Sequence, residues 1–137
     1  MERILGIDFG RKRVGLAISD PLWLTAQPLG VVVLSEALPE IIKLVEKFQV
    51  KRIVVGLPVN MNGTSGPAAE EVRQFAAEVK TATSQEVIFV DERLTTSEAQ
   101  RSLIEAGVKR SRRKQVVDQS AAALILAIYL ERQKNVP

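Results

Sequence analysis

The apolar residues of this chain change period once, and that change restricts the fold to helices packed on a sheet. Residues 3–9 and 14–19 are β-like runs joined by Gly10-Arg11-Lys12-Arg13, a short polar connection suited to an antiparallel hairpin. A third run, Leu29-Gly30-Val31-Val32-Val33-Leu34, would complete a meander. From Ser35 onward Leu38, Ile41, Ile42, Val45 and Phe48 recur at three and four residues, the stripe of an amphipathic helix.

The remaining segments extend this alternation. Ile53-Val54-Val55-Gly56-Leu57 is a short, continuously apolar run, expected to be a central strand with both faces covered and therefore parallel. Gly66-Pro67 suits a helix start with proline in its first position, and Val72, Phe75, Ala76 and Val79 supply that helix with a buried face. A fifth strand is expected over residues 87–90. Thr95 and Glu98 have capping-box spacing for a further helix, which Gly107 would end. Residues 116–130 are apolar nearly all round and predict a buried final helix. Three meander strands followed by α-β-α-β and closing helices make an α/β fold. The sheet is five-stranded and mixed, an antiparallel three-strand meander plus two parallel strands, with helices on both faces. This order matches the ribonuclease H-like fold. With 137 residues, 46% of them hydrophobic, and no repeat or linker, residues 1–137 are expected to form a single domain.

Three acidic residues sit where folding gains nothing from charge: Asp8 inside Gly6-Ile7-Asp8-Phe9-Gly10, Glu92 after the apolar run 87–90, and Asp118 at the start of the last apolar segment. A lone buried charge costs several kcal/mol unless a metal or hydrogen bonds compensate it. The alternative for Asp8 is capping of the hairpin or pairing with Arg11 or Arg13. Side chains alternate along a strand, so only one of Asp91 and Glu92 can easily face Asp8. Glu92 is preferred for its reach across an intervening strand, leaving Asp91 a supporting or capping role. Asp118 shares a helical face with Ala121, Ala122 and Ile125, expected to look inward. Its alternative is a first-turn acid favoured by the helix dipole, worth about 0.3–1 kcal/mol.

The chain has no cysteine and no histidine, so thiolate and imidazole chemistry is excluded and any active-site metal must be held by oxygen. Magnesium or manganese suits such ligands, and two ions would clamp attacking and leaving oxygens at phosphorus. The net charge is only +3, but Lys109, Arg110, Arg112, Arg113 and Lys114 fall within six residues. A basic segment beside acidic candidates favours a polyanionic substrate, gripped by its backbone. Arginine geometry suits Arg93 to bind a phosphate or to orient Glu92, and a plain salt bridge is the equal alternative. Asn60 and Asn62 lie in a loop expected at the rim of the same crevice. Trp23 is read as packing or an interface before base stacking. No apolar stretch reaches membrane-spanning length and no signal-peptide pattern opens the chain, so a cytoplasmic protein is expected.

At these residues the chain closely resembles the YqgF/RuvX family, described as nucleases of pre-16S rRNA and also as Holliday junction resolvases. The matching segments are Ile7-Asp8-Phe9-Gly10 with Gly15-Leu16-Ala17, Val55-Gly56-Leu57-Pro58-Val59-Asn60-Met61-Asn62-Gly63, Asp91-Glu92-Arg93-Leu94-Thr95-Thr96, and Val117-Asp118-Gln119-Ser120-Ala121-Ala122. They span nearly the whole chain in the family's order. The resemblance implies a ribonuclease H-like fold and a cytoplasmic nuclease with Asp8, Glu92 and Asp118 as catalytic carboxylates. It further implies processing of the 5′ end of 16S rRNA precursor, during ribosome biogenesis. One departure is Asn62, where family members commonly carry aspartate. The expected partner is nucleic acid, either pre-rRNA or branched DNA, bound by a monomer or a homodimer. The absence of a fourth carboxylate raises a second reading, a nucleic-acid-binding regulator with a vestigial site. A third, a nucleotide-binding relative of actin-like ATPases, would need two such domains.

Overall fold

In the computed structural model, residues 2–58, 66–91 and 120–134 are described. Five strands form one sheet: β1 (Arg3–Asp8), β2 (Arg13–Ser19), β3 (Ala26–Val33), β4 (Val50–Leu57) and β5 (Glu86–Asp91). Their order is β3-β2-β1-β4-β5. The first three pair antiparallel as the expected meander, while β4 is parallel to both β1 and β5. β1 is therefore the middle strand and β4 is internal, as its uninterrupted apolar run predicts.

Helix α1 (Leu34–Phe48) and helix α2 (Pro67–Thr83) cover one face, and helix α3 (Ala121–Lys134) covers the other. Strand alternation sorts the two cores. Leu5, Ile7, Val14, Leu16, Ile53 and Val55 pack beneath α1 and α2, against Ile41, Leu44, Val72, Phe75 and Val79. Ile4, Ala17, Val54 and Val90 pack beneath α3, against Ala122, Ile125, Leu126 and Tyr129. Pro67 occupies the first turn of α2, where its missing N–H breaks no helical bond.

Several boundaries differ from the sequence reading, each for a local reason. β3 starts at Ala26 rather than Leu29 because it is an edge strand. The register slips between its pairings of Leu16 with Gly30 and Ala17 with Pro28, and that irregularity accommodates the proline. Leu34 leaves the strand for α1, its N–H donating to the Lys12 carbonyl at 2.9 Å. β4 begins three residues early, at Val50, because sheet pairing at the strand start carries the polar Lys51 and Arg52 along. The last helix begins at Ala121, not at residue 116, with Ser120 capping it: the Ser120 hydroxyl accepts from Ala123 N–H at 2.9 Å. Ala121 is exposed while Ala122 and Ile125 are buried, so the inward face is narrower than the sequence spacing implies. The helix expected from Thr95 lies outside the described residues.

Candidate active site

Two glycines determine where α3 sits. Gly6 and Asp8 share a face of β1, and Gly15, opposite Asp8 on β2, shares it too. A methyl group at Gly6 would come within 2.9 Å of Leu126 Cβ and 3.0 Å of the Ala122 carbonyl. One at Gly15 would stand 3.6 Å from both Ala122 Cβ and Asp8 Cβ. The helix therefore rests on backbone, with its amino-terminal end beside Asp8. That end carries the positive pole of the helix dipole, which favours a carboxylate or a phosphate nearby.

Asp8 ends the central strand, at the sheet edge where the parallel strands β1, β4 and β5 all finish. A cleft of about 150 Å³ opens beside it, lined by Asp8, Arg13, Gly15, Pro28, Gly30, Val31 and the start of α3. A second cleft, of about 270 Å³, reaches Asp8 from the α2 side between Gly10, Arg11, Pro58 and Glu71. Asp8 thus stands at the divide between two openings, the position an acid needs to meet a strand laid across the sheet edge.

Asp91 ends β5 at the same edge but on the other face. Val54 pairs with Ile88 and Gly56 with Val90 on the α3 side, whereas Val55 pairs with Phe89 and Leu57 with Asp91 on the α1–α2 side. Asp8 and Asp91 therefore end their strands on opposite faces, with β4 between them. Glu92, Arg93, Asn60, Asn62, Asp118 and the basic residues Lys109, Arg110, Arg112, Arg113 and Lys114 lie outside the described residues.

The hairpin cations divide their roles. Arg11 donates from Nε and Nη2 to both carboxylate oxygens of Glu71, at 3.0 and 2.9 Å, so it ties the hairpin to α2. Those hydrogen bonds, and then the Glu71 charge, hold the guanidinium above its ordinary pKa. Arg13 is exposed and is in no ion pair among the described residues; the sequence reading weighed it only as a turn residue or a partner for Asp8, not as a cation lining a cleft. The period-two phase Arg13-Val14-Gly15 was the available signal, because it puts Arg13 and Gly15 on one face.

Trp23 packs, as expected. Its indole N–H donates to the Glu2 carbonyl at 2.7 Å, and the Arg52 guanidinium lies 5.5 Å from its ring centre. Arg52 also donates to the Tyr129 hydroxyl at 2.7 Å, joining α3 to the sheet at the end remote from Asp8. Asp20 organises the preceding turn. Burial pushes its carboxyl up, but donation from the backbone of Thr25, Leu24 and Leu22 and from the Thr25 hydroxyl outweighs this and leaves its pKa below the ordinary value. No helix among the described residues is long and apolar enough to cross a membrane.

Comparison with known proteins agrees with this architecture. The chain is 46% identical over 137 residues to a Carboxydothermus hydrogenoformans protein named "Putative pre-16S rRNA nuclease", covering 97% of this chain and 99% of the other. A Moorella thermoacetica protein of the same name is 49% identical over 133 residues, covering 95% of each. Among solved structures, Thermus thermophilus RuvC in complex with a Holliday junction substrate aligns over 96% of both chains, with a TM-score of 0.58 and 17% identity. At that identity the likeness concerns the fold, which is ribonuclease H-like. The family model described as "RuvX: Holliday junction resolvase" matches residues 2–132, and the chain belongs to that family.

Proposed function

We propose that this chain is a metal-dependent endonuclease that hydrolyses phosphodiester bonds, acting on the 5′ end of 16S rRNA precursor during ribosome biogenesis. The observation that carries the reading is the placement of Asp8, a carboxylate at the end of the central strand, on the α3 face, between two clefts. The names of near-full-length relatives support the substrate.

Glu92 and Asp118 are assigned as the other two carboxylates. Support for Glu92 over Asp91 comes from alternation, since Asp91 belongs to the face away from Asp8. Support for Asp118 is its place in the chain, two residues before the cap of the helix that abuts Asp8. A hard cation fits this donor chemistry, because the chain has no cysteine or histidine and Asp8 offers oxygen at a cleft mouth. The described residues gather no cluster of three acidic groups, so the site needs Glu92 and Asp118 to be complete. Two magnesium or manganese ions held there would supply Lewis-acid charge and an activated water for in-line displacement at phosphorus. Asp8 then presents its carboxylate at the edge of the sheet, while the positive end of α3 offsets charge gathered beside it. Arg93, Asn60, Asn62 and the 109–114 segment are assigned to holding the nucleic-acid backbone. The whole of residues 1–137 is taken as one ribonuclease H-like domain working in the cytoplasm.

Resolution of four-way DNA junctions is the second reading, favoured by the family description and by the shared fold with RuvC. It would require a homodimer, because two opposed strands must be cut together. Both readings are tested with purified protein and magnesium or manganese on a 5′-extended 16S rRNA precursor fragment and a four-way DNA junction in parallel. Metal-dependent cutting of the RNA alone, lost in Asp8→Asn, is the expected result. Paired cuts in the junction would favour the resolvase, and cleavage of neither would return the chain to the binding role without catalysis.

A further inference from the structure

The Arg13 cleft is more than an approach to Asp8. Arg13 is an exposed cation two residues from Gly15 on the face that carries Asp8, a separation of about 6.8 Å along an antiparallel strand. Its neighbour Arg11 is committed to Glu71, whereas no ion pair among the described residues engages Arg13. The wall facing it is apolar and open. Pro28 and Val31 line the cleft, Val31 is 59% exposed, and a methyl group at Gly30 would meet nothing within 4 Å. The fold gains little from Val31 left in water beside a carboxylate, but an apolar surface next to a cation suits a sugar next to its phosphate. Among the described residues the start of α3 also bounds the cleft, and its dipole favours an anion. None of the described residues lining it is aromatic, so they offer no stacking platform for a base. The lining hydroxyl, Ser120, already caps Ala123 through its oxygen.

We infer that Arg13, Pro28 and Val31 form a subsite for the nucleotide flanking the scissile phosphate, with the Arg13 guanidinium on the flanking phosphate and the apolar wall against the sugar. The inference rests on the nuclease reading and adds a base-independent positioning site on the β2–β3 side of Asp8. It implies that this side of the substrate is held by its backbone whatever its sequence.

The test separates binding from chemistry. The full-length Asp8→Asn protein is titrated with fluorescein-labelled single-stranded oligouridylate, by anisotropy, over a series of salt concentrations. Adding Arg13→Ala should weaken binding several-fold at low salt and lower the slope of log K against log[salt] by about 0.7, one phosphate contact on a single strand. Arg13→Lys should restore the slope, while Val31→Ser should weaken binding with the slope unchanged. Lys43→Ala, on exposed α1 across the sheet, should alter neither. An unchanged slope in Arg13→Ala overturns the subsite, as does an equal loss in Lys43→Ala or a failure of the Asp8→Asn protein to bind. Unaltered affinity in Val31→Ser removes the sugar wall. Failure of the parent protein to cleave either RNA or junction with magnesium or manganese would defeat the nuclease reading instead, whatever the slopes show.

Discussion

Single side chains hold the strand ends at the sheet edge opposite Asp8. Ser19 is the one fully buried polar residue among those described, and its hydroxyl accepts from Ile4 N–H at 2.8 Å, beside the irregularity where β1 meets β4. Ser19→Ala would strand a buried donor, so unfolding in urea should show a loss of about 1–3 kcal/mol. Asp20, the next residue, makes part of the stability depend on pH. Its folded pKa lies below the ordinary value, so its contribution is fully present above the unfolded pKa of about 3.9 and is lost as pH falls through the lower folded value. Melting temperatures of the parent and Asp20→Ala should therefore differ near neutral pH and converge in acid, and a constant difference across that range would exclude the linkage. Asp8 was legible in the sequence because a lone acid within an apolar strand contradicts its surroundings. Arg13 was not, because a basic residue after Gly10 reads as turn until the register places it beside Gly15. The phase of β5 is of the same kind: Asp91 and Glu92 both follow an apolar run, and it is the pairing of Val54 with Ile88 that puts Asp91 on the face away from α3.

Elements meet the site through close approach rather than through long side chains. Helix α3 lies against Gly6, so Gly6→Ala forces its Cβ onto Leu126 Cβ and the Ala122 carbonyl, one of them backbone that cannot turn aside. Overpacking of this kind costs about 1–3 kcal/mol, and the relief available is a shift of α3 away from β1. Because that shift moves the helix start relative to Asp8, metal-dependent cleavage by Gly6→Ala should fall well beyond the unfolded fraction measured by circular dichroism under the same conditions. Loss of activity only in proportion to unfolding would mean that the seat of α3 serves stability alone. A different device ends α2: Ser84 closes the helix at φ 60°, its N–H donating to the Lys80 carbonyl, and it is exposed. Ser84→Gly should stabilise by roughly 0.5–1 kcal/mol, the left-handed penalty less the added chain entropy, readable as a raised urea midpoint. The elements themselves were legible where period and burial agree, as in β1, β4 and the buried face of α2. Boundaries were lost where tertiary pairing overrode local signals: Pro28 within an edge strand, Lys51 and Arg52 drawn into β4, and Ser120 setting the start of α3.

At the scale of the whole molecule, the sheet order turns residues far apart in sequence into one working edge. β1 is flanked by its antiparallel hairpin partner on one side and by β4 on the other, and the parallel connections bring the ends of β1, β4 and β5 together. The order of strands and helices was readable from the sequence, because changes of period survive even where boundaries do not. Whether the proposed carboxylates meet was not, since that depends on which face each strand presents. If Asp8, Glu92 and Asp118 share cations as proposed, the native state alone possesses the complete site, and metal should stabilise folding by linkage. At one hundred times its dissociation constant a single ligand adds about 2.7 kcal/mol, enough to raise a melting temperature by several degrees. Thermal unfolding of the parent should therefore shift upward with added magnesium or manganese, and the shift should be largely absent in Asp8→Asn. A variant that melts lower without metal yet keeps the full metal-dependent shift would show that Asp8 supports the fold and that the cations are held elsewhere.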